Sequence, residues 1–89
     1  LGIDIEFHGS GPAVRQCMAS IRNTNYYEMG LVHPKVPSGR GGLYKGDYRD
    51  GLDAVDEKGH VPVPQGPGLG AEIDWDWVEE HRTGLAEYA

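Results

Sequence analysis

The chain lacks the devices that let a small protein stand alone. Its single cysteine, Cys17, excludes an internal disulfide. His33, His60 and His81 have no metal-ligand spacing with one another or with Cys17, which excludes a zinc staple. Hydrophobic residues make up only 38% of the 89 positions, whereas glycine alone fills 14. That is a thin, loop-rich composition at a length where a dense core or a staple is required. No apolar run approaches the ~20 residues of a membrane-spanning helix, and no secretory signal opens the chain. Basic residues are few and scattered: eight Lys and Arg against 14 Asp and Glu, a net charge of −6. Nucleic acid and anionic membrane are therefore excluded as partners, since both require clustered positive charge. A lone cysteine inside a helical pattern fits a reducing cytoplasm. Leu1 opens the chain within an apolar-alternating segment, so the expectation is a piece cut from a larger structure and not a complete domain.

What is present has a clear order at its start. Ile3, Ile5 and Phe7 alternate with Asp4, Glu6 and His8, the period of a β-strand ending near His8. Gly9-Ser10-Gly11-Pro12 breaks the strand and starts a helix, with Ser10 or Gly11 as cap and Pro12 in the first turn. Val14, Cys17, Met18 and Ile21 then form one apolar stripe, with Arg15, Gln16 and Arg22 expected to face outward. Asn23 and Asn25 are placed at the helix end, and Tyr26-Tyr27-Glu28-Met29 reads as a second short strand. Strand, helix and strand with short links make a βαβ unit over residues 1–29, which implies parallel strands. Two parallel strands require neighbours on both sides, because parallel sheets are buried on both faces.

Residues 30–89 read as a C-terminal loop, a hairpin and a short helix. Pro34, Pro37 and the glycines around Arg40 predict a loop. Leu52-Asp53-Ala54-Val55 and His60-Val61-Pro62-Val63 flank Asp56-Glu57-Lys58-Gly59, a four-residue turn. Pro64 to Gly70 is extended and turn-rich, and Asp74 can cap a helix from Trp75 to about Arg82.

His8 and Glu28 carry the chemistry. Both fall at strand ends, 20 residues apart, and adjacent parallel strands would set them on the same rim. In a βα barrel that rim is where catalytic groups sit. A histidine near pH 7 can accept a proton from a weakly acidic carbon. A carboxyl group beside it can hydrogen-bond the developing enolate, provided that its pKa is raised enough to keep it protonated.

The stretch Phe7-His8-Gly9, the proline-initiated helix, Asn25-Tyr26-Tyr27-Glu28, and the tail Val61-Pro62-Val63-Pro64-Gln65-Gly66-Pro67-Gly68-Leu69-Gly70 followed by Ile73-Asp74 occur in that order. Together they resemble the C-terminal end of the mandelate racemase and muconate lactonizing enzyme family of the enolase superfamily, in its mandelate-racemase-like branch. The resemblance spans Leu1 to about Arg82. It implies an α/β fold, the last strand–helix–strand and tail of a (β/α)7β TIM-like barrel, with the tail wrapped back on a capping domain. It implies that His8 is a general base and that Glu28 hydrogen-bonds the substrate carboxylate as it becomes an enediolate. It also implies Mg2+, whose ligands are expected on strands preceding Leu1. The full-length enzyme would be a cytoplasmic homo-oligomer acting on a small carboxylate or sugar acid.

The preferred activity is sugar-acid dehydration, a lyase reaction; racemisation or epimerisation of a 2-hydroxy acid is the close alternative. A stand-alone remnant or non-catalytic binding module is the competitor from another class. The 89 residues alone are expected to be inactive. Elsewhere bland roles prevail. Gly66, Gly68 and Gly70 lack the strand–helix context of a nucleotide loop. Cys17 is expected in the core, Ser10 as a helix cap, and Trp75 and Trp77 as packing or interface anchors.

Overall fold

A computed structural model describes residues 2–30, 33, 35 and 42–88. Leu1, Arg40, Pro34, Pro37 and the glycines at 39 and 41 lie outside the described residues, and with them most of the expected loop. The first helix, α1, spans Pro12–Ser20. Gly11 is its N-cap, and Pro12 begins the helix, where a missing N–H costs nothing. Ser10 makes no capping bond, because no side-chain cap is present on α1. The helix stops at Ser20, and Ile21 is already extended.

The stripe on α1 needs two corrections. Val14, Met18 and Ile21 are half-buried, but Cys17 is exposed. Arg15, expected to face outward, is buried, and Gln16 is half-buried. The cause lies in residues 49–69, which fold over α1 and present backbone carbonyls and a carboxylate to it, so the covered positions are hydrogen-bond donors. Gln16 Nε2 donates to the Pro64 carbonyl at 2.8 Å and the Leu69 carbonyl at 3.1 Å.

Neither expected strand forms among the described residues: residues 2–7 and 24–30 carry no regular secondary structure, because no ladder of backbone bonds pairs them. One backbone bond ties the first stretch to the turn after α1, Ile5 N–H to the Asn23 carbonyl at 2.9 Å. Side chains supply the rest. Asn23 Nδ2 donates to the Ile3 carbonyl, and the Glu6 carboxylate accepts from Asn25 Nδ2 at 2.8 Å and Tyr26 N–H at 3.2 Å. Contacts advance together along both stretches, so they run parallel. A lone parallel pair is weak, and it gains regular pairing only with further strands beside it.

The C-terminal half is held by short local devices. An isolated antiparallel bridge pairs Tyr44 with Ile73, supported by Lys45 N–H to the Glu72 carbonyl and Asp74 N–H to the Leu43 carbonyl, both 2.8 Å. The turn expected at residues 56–59 is present: Asp56 N–H reaches the His60 carbonyl at 2.8 Å. Its first arm is not a strand; Leu52–Ala54 is a 3-10 turn. The second helix, α2, spans Trp75–His81, and the Asp74 side chain accepts from Trp77 N–H at 3.1 Å. Trp75 is exposed, whereas Trp77 stacks on His81 with ring centroids 4.1 Å apart.

No hydrophobic side chain among the described residues is fully buried, and Ile3 is 70% exposed. The chain exposes 7394 Å². A compact monomer of its 9.7 kDa exposes about 5,100 Å². What holds the chain is polar: turns, caps and one buried ionic cluster.

Candidate functional site

The break between the first extended stretch and α1 positions His8. Gly9 has φ of 100°, a conformation that costs a residue with a Cβ free energy, and through it the chain turns from His8 into Gly11. In this turn Gly9 N–H points across to the second stretch and donates to Glu28 Oε2 at 2.8 Å. His8 Nδ1 lies 3.0 Å from the same oxygen. The two residues that the sequence places on one rim are therefore in contact. The His8 side chain is 98% exposed and that of Glu28 43%.

The charge state of Glu28 differs from the sequence-based expectation. Acting as a hydrogen-bond donor to an enolate would require a raised pKa. Instead the Gly9 N–H bond holds the carboxyl below the usual glutamate range; partial desolvation opposes this, and the charge and hydrogen bond of His8 add to it. Near neutral pH Glu28 is an acceptor. A carboxylate on Nδ1 fixes the tautomer of a neutral imidazole: Nδ1 carries the proton and Nε2 presents its lone pair to solvent. The arrangement is a carboxylate–histidine pair with a free basic nitrogen, suited to accepting a proton from a ligand above the rim.

Behind this pair lies a cluster that no local sequence signal marks. Tyr27, next to Glu28, accepts the Gly11 N–H at 2.7 Å and donates to Asp50 Oδ1 at 2.7 Å. Arg15 donates through NH2 to the same Asp50 oxygen at 3.0 Å, to the Arg49 carbonyl, and through NH1 to the Pro62 carbonyl at 3.0 Å. Its guanidinium carbon lies 5.0 Å from the Tyr27 ring centre and 4.6 Å from that of Tyr48, a cation–π sandwich. Burial pulls the Arg15 pKa down, but hydrogen bonding to Tyr27 and Asp50 more than offsets this, and the net shift is upward. Burial pushes the Tyr48 phenol strongly up, with Tyr27 and Asp50 adding to the shift and Arg15 opposing it. Arg15 and Tyr48 thus both hold their protons at neutral pH.

A half-open cavity of about 400 Å³ lies between α1 and residues 55–63, lined in part by Met18, Tyr27, Met29, Val55, Val61 and Val63. Its lining is mostly apolar, and neither His8 nor Glu28 borders it. Among the described residues no three His, Cys, Asp or Glu side chains converge as metal ligands. No described helix is long and apolar enough to cross a membrane. Comparison with protein-family models, with curated proteins and with solved structures finds no match to this chain.

Proposed function

We propose that the chain is the C-terminal part of a barrel enzyme of the mandelate-racemase-like branch of the enolase superfamily, abstracting the α-proton of a carboxylate substrate. The observation that carries this reading is the shared oxygen: Glu28 Oε2 accepts from Gly9 N–H at 2.8 Å and lies 3.0 Å from His8 Nδ1. Parallel contacts between the two stretches, exposed isoleucines on the first, and the absence of a buried apolar core among the described residues support a segment completed by further strands. Those strands and a capping domain are the proposed partners, in a cytoplasmic homo-oligomer.

In this reading His8 Nε2 takes the α-proton while the Glu28 carboxylate holds Nδ1–H and stabilises the imidazolium that forms. In the dehydration of a sugar acid, the protonated His8 then assists loss of the β-hydroxyl as water, so the proton taken from carbon leaves with oxygen. The close alternative, racemisation or epimerisation, returns a proton to carbon from the opposite face. Mg2+, implied by the resemblance, would stabilise the enediolate. The described residues do not form a site for it.

The test is solvent exchange. The full protein incubated with acid sugars in deuterated water should exchange the α-proton, and His8→Asn should suppress that exchange. Undiminished exchange in the variant would remove His8 from the base role.

A further inference from the structure

We propose that Asp50 is a positioning residue for the His8–Glu28 pair, acting through the Tyr27 hydroxyl and the Gly11 amide from a loop 22 residues beyond Glu28. It rests on the reading of His8 and Glu28 as the proton-transfer pair and adds the device that holds them in register.

The linkage is continuous. Asp50 Oδ1 accepts from Tyr27 Oη–H at 2.7 Å, which orients the phenol oxygen so that its lone pair receives the Gly11 N–H at 2.7 Å. Gly11 is buried and has φ of 122°, so its amide direction is set by this bond and by no side chain of its own. Two residues earlier, in the same turn, Gly9 N–H meets Glu28 Oε2. Tyr27 and Glu28 are neighbours in the chain, and each accepts from a different amide of the same turn. The stretch is therefore tied to the turn twice, by Tyr27 to Gly11 and by Glu28 to Gly9. Removing the first tie frees the turn to rotate and lengthens the second.

Asp50 is itself held. Its carboxylate meets the buried Arg15 guanidinium at 3.0 Å and Tyr48 Oη at 3.3 Å, and the Arg15 side chain is only 2% exposed. A buried cation that needs its counter-charge fixes the position of that charge. Arg15 also binds the Arg49 and Pro62 carbonyls, so the loop carrying Asp50 and the segment at residue 62 are locked together on α1. In this way the C-terminal half of the chain, which contributes neither His8 nor Glu28, sets the geometry between them.

The readout is the side-chain carboxyl titration of Glu28, followed by carbon NMR in the full protein. The wild type should titrate below 4.5, the ordinary value. Tyr27→Phe keeps the ring beneath Arg15 and loses only the hydroxyl; its Glu28 midpoint should rise toward 4.5, and Asp50→Asn should move it in the same direction. Tyr48→Phe removes an oxygen that also touches Asp50 but not Gly11, and should leave Glu28 as in the wild type. If Asp50→Asn does not fold, judged by circular dichroism, Tyr27→Phe decides. An unmoved Glu28 midpoint in Tyr27→Phe, or an equal rise in Tyr48→Phe, would overturn the proposal. Solvent exchange separates the two claims: a Glu28 midpoint that depends on Tyr27, with α-proton exchange indifferent to His8, supports the positioning link and overturns only the catalytic role.

Discussion

Arg15 and Asp50, 35 residues apart, form the most enclosed ion pair among the described residues: 3.0 Å between Arg15 NH2 and Asp50 Oδ1, with side chains 2% and 14% exposed. Removing one partner of such a pair strands the other charge away from water. Asp50→Ala should therefore cost about 3–5 kcal/mol. The neighbouring pair Arg49–Asp53, 3.8 Å apart with both side chains more than half exposed, is the control. Asp53→Ala should cost less than about 1 kcal/mol. Urea unfolding of both variants of the full protein measures the contrast, and similar losses would contradict it.

Asp56 organises its turn by accepting from Lys58 N–H at 2.8 Å and His60 N–H at 2.9 Å. The His60 and Lys58 amides lower its pKa, partial desolvation opposes them, and the His60 charge adds a smaller lowering. A depressed folded-state pKa contributes stability above the unfolded value, and this contribution is lost as pH falls through the folded value. The protection factors of the Lys58 and His60 amides, measured against the intrinsic exchange rate at each pH, should hold at pH 5 and fall as the pH drops below the ordinary aspartate value of 3.8. Asp56→Ala should lose this protection already at pH 5, and protection that survives the substitution would contradict the account.

The start of α2 has one side-chain cap, the bond from Trp77 N–H to Asp74 Oδ1, beside the backbone bond from Val78 N–H to the Asp74 carbonyl. Asp74→Ala should cost about 1 kcal/mol and fray the first turn. Asp74→Asn, which keeps the acceptor, should cost far less. Chemical shifts of residues 75–77 report the fraying directly.

Gly68 and Gly70 both adopt positive φ, 63° and 75°, but their surroundings differ. A Cβ at Gly68 meets open space; at Gly70 it would lie 2.6 Å from the Pro64 carbonyl oxygen, closer than any real Cβ contact. Gly68→Ala should cost roughly 1–2 kcal/mol, the penalty of the left-handed conformation. Gly70→Ala should cost more, because the Pro64 backbone must also be displaced. Equal stabilities would contradict this difference in packing.

Local chemistry was legible in the sequence, and the long-range polar packing was not. Pro12 after a glycine break and Asp74 before Trp75 each mark a helix start, and both helices begin there. His8 and Glu28 do meet, but through the Gly9 turn and the polar contacts of Ile3, Ile5 and Glu6 with residues 23–26, since neither stretch forms a strand among the described residues. The stripe rule went wrong at Arg15 and Cys17 because it assumes that a covered helical face is apolar. Here the covering segment brings the carbonyls of Arg49 and Pro62 and the carboxylate of Asp50, so a guanidinium is the side chain that fits. Nothing near residue 15 records what lies 34 to 47 positions away. The ionisation of Glu28 was equally out of reach, since it depends on the direction of one amide, that of Gly9.

The central claim is that His8 Nε2 accepts a proton from carbon while Glu28 holds Nδ1. Proton NMR of acid sugars incubated with the full protein in deuterated water tests it most directly. The α-proton signal of a substrate should disappear with the wild type, and the rate should fall at least about 100-fold in His8→Asn, the scale of a lost general base. An α-proton lost equally fast with His8→Asn would contradict the account.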